Sequence, residues 1–162
     1  MTVPLVVEVA DPRIDDVRAL LERHLAFAFE HTAPEDVYAL DLDGLLSPAI
    51  TVFAARRDGR LVAVGALKEL DGTHGELKSM HTCQAARGQG IGRVMVEHLV
   101  GVARARGYER VSLETGAMDA FAPARALYRR AGFKPSGPFA DYPDSPNSAF
   151  MTLDLGSVDA RS

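Results

Sequence analysis

Between residues 50 and 114 the chain changes its structural period from strand to helix and back, and that pattern limits the folds open to it. Residues 50–56 and 61–70 are rich in β-branched and apolar side chains. They flank Asp58-Gly59, a dipeptide suited to a tight hairpin because both central residues of a type I′ turn need positive φ. Asp71-Gly72 repeats that chemistry ahead of a third strand at 75–82. Three strands joined by tight turns form an antiparallel meander. The spacing then becomes helical. Ile91, Val94, Met95, His98, Val102 and Ala105 recur on one face, and Gly107 supplies the left-handed residue that ends the helix. Residues 109–114 return to strand. A strand, a helix and a strand in that order require a crossover, so strand 75–82 lies parallel to strand 109–114. The sheet is therefore mixed, antiparallel in its first half with one parallel join.

The flanks extend this α+β (mixed α/β) reading. Residues 5–9 form a first strand. Asp11 as N-cap and Pro12 at the first helical position open a helix from about 12 to about 30, with Ile14, Val17, Leu20, Leu21, Phe27 and Ala28 on its apolar face. The stretch 31–48 is irregular, with amphipathic potential near Leu40 to Leu46. Pro123 either opens a short helix or lies in the first turn of one capped by Asp119. Ala124, Leu127, Tyr128 and Ala131 share its apolar face, and Gly132 ends it. Residues 134–146 hold four prolines and read mostly as loop. Residues 148–155 make a last strand. With 162 residues and no linker or internal repeat, the expectation is a single domain over 1–155 and a frayed tail at 156–162.

Charge and composition exclude several classes. Lys plus Arg is 18 against 22 for Asp plus Glu, a net charge of −4. Such a chain has no electrostatic reason to hold a nucleic acid. No apolar run approaches the ~20 residues of a membrane span, and the start lacks a secretory signal, so the expected place is the cytoplasm. The single cysteine, Cys83, forms no internal disulfide and no multi-thiolate zinc site. His24, His31 and His74 have no metal-ligand spacing, so no metal is expected.

The segment Arg87-Gly88-Gln89-Gly90-Ile91-Gly92-Arg93 lies between a strand and the first turn of a helix. Free backbone N–H groups and the positive end of the helix dipole meet there, which suits a phosphate or pyrophosphate. Glycines let the backbone approach such a ligand, and the two arginines add charge. The Walker pattern G-x-x-x-x-G-K-[ST] is absent. The dinucleotide pattern G-x-G-x-x-G also fails, since its third glycine falls on Arg93 or Met95. What remains is R-x-x-G-x-G, at Arg87, Gly90 and Gly92.

With that motif in place, the chain from Leu5 to Leu155 resembles the GNAT superfamily of acyl-CoA N-acyltransferases. Ala126-Leu127-Tyr128-Arg129-Arg130-Ala131-Gly132-Phe133 is similar to the family's A-L-Y-x-x-x-G-F helix end. Gly75-Glu76-Leu77-Lys78-Ser79-Met80, with Gly137-Pro138-Phe139 and Asp141-Tyr142-Pro143, resembles a bacterial subgroup of small-molecule acetyltransferases. The resemblance implies a sheet splayed between strands 75–82 and 109–114, with helices on both faces. It implies acetyl-CoA as co-substrate, held by the backbone of Met80, His81 and Thr82 and by Arg87, Gly88, Gln89, Gly90, Ile91, Gly92 and Arg93. Phe121 stands where relatives often carry a CoA-contacting Asn, so that contact is either lost or replaced by stacking. Glu76 matches the base of the histone-acetylating branch in its spacing from Gly90. It acts directly or through a water, or else is simply a partner of Lys78; Glu69 and Glu114 are weaker alternatives. Tyr128 matches the tyrosine that protonates the departing sulfur. The acceptor implied is a small-molecule amine. Its walls are expected from His24, Phe27 and His31, from the segment 32–48 with Tyr38, and from the loop 135–147 with Tyr142. A homodimer fits the family. Two other readings remain open, a non-catalytic CoA sensor and a protein lysine or N-terminal acetyltransferase.

Overall fold

The computed structural model describes residues 4–156. The expected tail therefore lies almost wholly outside the described residues. Seven strands form one sheet: β1 (Leu5–Val9), β2 (Ile50–Arg57), β3 (Arg60–Asp71), β4 (His74–Thr82), β5 (Arg110–Gly116), β6 (Lys134–Ser136) and β7 (Ser148–Asp154). Their order across the sheet is β1-β2-β3-β4-β5-β7-β6. Each neighbouring pair is antiparallel except β4 and β5, which run parallel as the crossover requires. Four α-helices complete the fold: α1 (Asp15–His31), the single turn α2 (Leu42–Leu45), α3 (Ile91–Ala105) and α4 (Ala122–Arg130).

Period-2 alternation along the strands separates two cores. On one face Phe53 and Ala55 of β2, Leu67 of β3 and Leu77 of β4 pack with Met95, Val96 and Leu99 of α3 and Tyr128 of α4. On the other, Val52 and Ala54 of β2 and Val64 and Ala66 of β3 pack with Val17, Leu20 and Leu21 of α1 and Leu45 of α2. Full burial of each large apolar side chain stabilises the fold by about 1.5–3 kcal/mol.

Three local expectations need correction. The first helix begins at Asp15 rather than near residue 12. The Asp11 carboxylate accepts the Arg13 amide at 2.9 Å and its guanidinium at 2.8 Å, which closes a separate turn before the helix. The cap position falls on Ile14, with no side-chain hydrogen bond. In the second case Asp119 does not cap α4. It starts a 3₁₀ turn over Asp119–Phe121, and Phe121 takes the cap position without a side-chain bond. Third, part of the proline-rich loop is strand. Lys134–Ser136 pairs with β7 at the sheet edge, where a proline needs no ladder partner on its open side.

The join between β4 and β5 positions the site. Their pairing runs from His74↔Arg110 to Leu77↔Leu113 and stops there, although β4 continues to Thr82 and β5 to Gly116. The two strands part into a fork, as expected. Just past the last pair β4 carries a bulge. Ala66 pairs with Lys78 and Val64 with His81, so Ser79 and Met80 together oppose Gly65. Ser79 takes φ 55°, unusual for a residue with a side chain. A Cβ on Gly65 would lie 2.7 Å from the Met80 sulfur, so the glycine gives the Met80 side chain its place beneath the bulge.

Candidate active site

A cavity of about 80 Å³ opens where β4 and β5 separate. Lys78 and Ser79 of β4, Glu114 of β5, His24 of α1, Asp36 and Tyr38 from the segment after α1, and Phe121 before α4 all line it. Of the expected acceptor wall, His24 and Tyr38 reach the cavity. Phe27 and His31 stand behind Phe121, their ring centroids 5.3 and 6.4 Å from it. Phe121 is pressed so closely over Gly116 that a Cβ there would overlap its ring.

The two strands bring different carboxylates to this region. Glu76 is only 2 % exposed. Its Oε2 accepts a hydrogen bond from the Tyr142 hydroxyl at 2.5 Å and from Lys78 Nζ at 3.2 Å. Lys78 also donates to the Tyr142 oxygen at 2.8 Å. This triad ties the loop after β6 to the sheet. Tyr142 is also packed by Tyr38, Phe139 and Phe150, at centroid distances of 5.0, 5.0 and 5.8 Å. Burial, and then the Glu76 charge, hold the Tyr142 phenol well above its ordinary range. Glu114, by contrast, lines the cavity. Burial pushes its carboxyl up to about 7; the nearby Ser148 hydroxyl and Lys78 pull it down, and the charges of Glu76 and Asp36 push it further up. Glu69 is elsewhere, accepting the Tyr108 hydroxyl at 2.9 Å.

Tyr128 is 6 % exposed on α4, its ring 5.9 Å from that of Phe133. Burial, then the Glu114 charge, raise its phenol above the ordinary range, so it stays protonated at neutral pH and is able to donate. Gly92 sets its position. A Cβ at Gly92 would lie 2.9 Å from Leu127 Cδ2, so glycine there lets α4 approach the start of α3.

The glycine loop has the expected form. A 3₁₀ turn over Gln84–Ala86 leads into Gly88 and Gly90, with φ of 79° and 77°. Gly90 is the cap of α3 and no side chain bonds the first-turn amides. A Cβ at either glycine would meet nothing within 4 Å, so the surface above the loop is open. Arg87 Nε reaches the Thr82 carbonyl at 3.4 Å, and Arg57 holds the Gln89 side chain at 2.9 Å. Arg93 is paired with Glu97 at 2.7 Å on the helix surface. Beyond Leu77 the open edge of β4 faces the same side as Met80, His81 and Thr82 run toward this loop. Free helix amides, an open strand edge and nearby guanidinium groups fit a ligand with a pyrophosphate and an amide-bearing arm.

Several features lay beyond sequence reasoning. The Nδ1 atoms of His24 and His81 lie 3.2 Å apart, joining α1 to β4. Burial is the main cause that lowers both imidazoles to about 4. His81 was expected to contribute backbone alone. Asp36 accepts Asn147 Nδ2 at 2.9 Å, a contact across most of the chain that no local spacing announces. His98 packs on Phe53 at 5.4 Å, and Cys83 is half-buried between the two cores. Among the described residues no cluster of metal-ligating side chains occurs, and no helix is long and apolar enough to cross a membrane.

The model of the acetyltransferase (GNAT) family matches residues 15–133. The chain is 45 % identical over 148 residues to the uncharacterised N-acetyltransferase YsnE of Bacillus subtilis (strain 168), covering 88 % of this chain and 98 % of that one. It is 38 % identical over 145 residues to the IAA acetyltransferase of Azospirillum brasilense, covering 89 % and 94 %. A GNAT family acetyltransferase from Elizabethkingia anophelis, solved with acetyl-CoA bound, superposes with a TM-score of 0.69 over 93 % of this chain and 98 % of the other, at 16 % identity. The fork, the glycine loop and these matches agree: the chain belongs to the acetyltransferase (GNAT) family and is an acyltransferase whose donor is acetyl-CoA.

Proposed function

We propose that the protein transfers the acetyl group of acetyl-CoA directly to the primary amine of a small molecule held in the cavity at the fork. The single observation that carries this reading is the position of Glu114. A carboxyl pushed up to about 7 lines a small cavity beside the strand edge and loop that fit the donor. A group with that affinity for protons is suited to general-base work near neutral pH.

Glu114 takes a proton from the bound ammonium, leaving a nucleophilic amine. The nitrogen attacks the thioester carbonyl carbon, an N–C bond forms and the C–S bond breaks. Tyr128 gives its phenolic proton to the sulfur and recovers one from the second N–H of the amine. The proton on Glu114 passes to solvent, so the sum is amide, free thiol and one released proton. Glu76, expected as the base from spacing, is engaged by Lys78 and Tyr142. We assign it a positioning role, holding the loop after β6 over the site. Arg87 and the amides from Gly88 to Gly92 hold the donor's pyrophosphate, and the β4 edge from Met80 to Thr82 holds its arm. Gln89, Ile91 and Arg93 belong to the same loop and helix start.

Thiol release from acetyl-CoA, measured across a library of small amines with mass detection of the N-acetyl product, tests the reading. Amine-dependent release with a matching product supports it. Acetyl-CoA binding without transfer to any amine would favour a sensor, and transfer to peptides alone would favour a protein acetyltransferase.

A further inference from the structure

The cavity lining narrows the acceptor, an inference that rests on the function proposed above. Two carboxylates face this small space, and among the described residues neither Asp36 nor Glu114 is in an ion pair. Asp36 is held by the neutral Asn147 amide. The one cationic side chain in the lining, Lys78, directs its ammonium to Glu76 at 3.2 Å and to the Tyr142 oxygen at 2.8 Å. His24 is spent on His81. A separate observation points the same way. Ser79 is 6 % exposed, and its Oγ is buried without a hydrogen-bond partner among the described residues, while the residue lines this same cavity. A buried hydroxyl left unmatched is costly unless a ligand satisfies it. Two carboxylates without counter-ion and one orphan hydroxyl describe the complement of an ammonium group. Tyr38 and Phe121 also line the cavity and offer apolar surface to the carbons behind it.

We propose that the acceptor is a primary alkylammonium with no carboxylate near its nitrogen, a simple amine rather than an α-amino acid. The charge in the lining supports this. A carboxylate on the first carbon would enter the space that Asp36 and Glu114 already charge negatively, with no free cation to receive it. Like-charge juxtaposition of this kind costs several kcal/mol and is a strong source of discrimination.

The test compares kcat/KM for matched pairs: 2-phenylethylamine with phenylalanine, and tyramine with tyrosine. Phenylalanine amide serves as a control that keeps the bulk and removes the charge. The amino acids are expected to be about a hundredfold worse than the amines, with the amide recovering most of the loss. Asp36→Asn narrows the gap and raises KM for the amine while KM for acetyl-CoA stays put. Ser79→Ala raises KM for the amine alone. Equal use of amine and amino acid would overturn the proposal, as would an amide as poor as the acid. Calorimetric titration of the same pairs into the CoA-bound protein reads the selection without turnover. Tight amine binding with no transfer would overturn the function and keep the selectivity, whereas indifferent binding beside measurable transfer would do the reverse.

Discussion

The pH dependence of turnover separates the two carboxylates of the site. Burial, with help from the Glu76 and Asp36 charges, lifts the Glu114 carboxyl from 4.5 to about 7. At about 1.4 kcal/mol per unit, that lift is on the order of 3 kcal/mol of penalty on the ionised form. The ionised fraction of such a group rises from about a tenth at pH 6 to about nine tenths at pH 8. A carboxylate at its usual value is ionised throughout that range and leaves no step. We therefore expect kcat/KM for the amine, which reports the free enzyme, to climb roughly tenfold between pH 6 and 8 and then level. Glu114→Gln removes the step and lowers kcat by about 10²–10⁴-fold, with KM for acetyl-CoA little changed. Asp36→Asn removes a charge that raises the Glu114 value, so the inflexion moves to lower pH. Lys78→Met removes a charge that lowers it, and the inflexion moves up. A thiol-release assay over pH 5.5–9 in constant-ionic-strength buffer reads the wild type, these three variants and Glu76→Gln. The reasoning fails if Glu114→Gln keeps both rate and step. If the step vanishes in Glu76→Gln and persists in Glu114→Gln, the base is Glu76.

The His24 imidazole is lowered from 6.5 to about 4 in the fold. The unfolded chain therefore binds the extra proton first, and its stabilisation is complete above about pH 7 and lost as pH falls from 6.5 toward 4. Urea unfolding at pH 7.5 and 5.0 should differ by about 2 kcal/mol from this group, and His24→Leu should shrink the total difference while leaving the part due to His81; an unchanged difference in the variant would count against it. Tyr128→Phe keeps the packing against Phe133 and removes the proton donor, so kcat should drop at least tenfold with the melting temperature nearly unchanged. Full activity in that variant would remove Tyr128 from the mechanism. Gly92→Ala places a Cβ 2.9 Å from Leu127 Cδ2, so α4 shifts and kcat falls more than acetyl-CoA affinity. A pure affinity loss would mean the glycine serves the donor rather than the position of Tyr128.

What the sequence made legible follows from how local its signals are. The Asp-Gly turns, the crossover helix and the glycine loop each announce themselves within a few residues, and the meander, parallel join and loop stand where those signals put them. Caps were harder. Asp11 is a good capping residue, but Arg13 follows at a distance where its amide and guanidinium capture the carboxylate first. The site was legible by strand but not by side chain. Both Glu76 and Glu114 sit on strands flanking the fork, and spacing alone ranked the first above the second. Their environments separate them: Glu76 is matched by Tyr142, sixty-six residues away, while Glu114 has no cation of its own. The partners of His24 and Asp36, and the Tyr142 partner of Glu76, come from distant segments, so no window of sequence contains them; only Lys78 is local to Glu76.

The bulge at Ser79 was equally silent, and it organises the whole site. Before it, even-numbered residues of β4 face one side of the sheet: Glu76 and Lys78 meet Tyr142, while Leu77 enters the α3 core. Beyond it the parity is reversed. Met80 packs into the α3 core and His81 meets His24 of α1. One extra residue flips every later side chain to the opposite face. Deleting Ser79 joins Lys78 to Met80 and leaves a regular ladder in which Met80 opposes Gly65 and His81 still opposes Val64, so both side chains keep their faces. The deletion should therefore leave the protein folded while weakening amine binding, because the Ser79 hydroxyl is lost. Two substitutions at the same position keep the argument testable. Ser79→Gly relieves the positive φ and should keep or raise the melting temperature while weakening amine binding. Ser79→Val sets a β-branched residue at φ 55° and should lower the melting temperature by several degrees. If Ser79→Gly and Ser79→Val melt alike, the strand does not hold its bulge against strain, and the reversal of faces must come from the packing of Met80 and His81 instead.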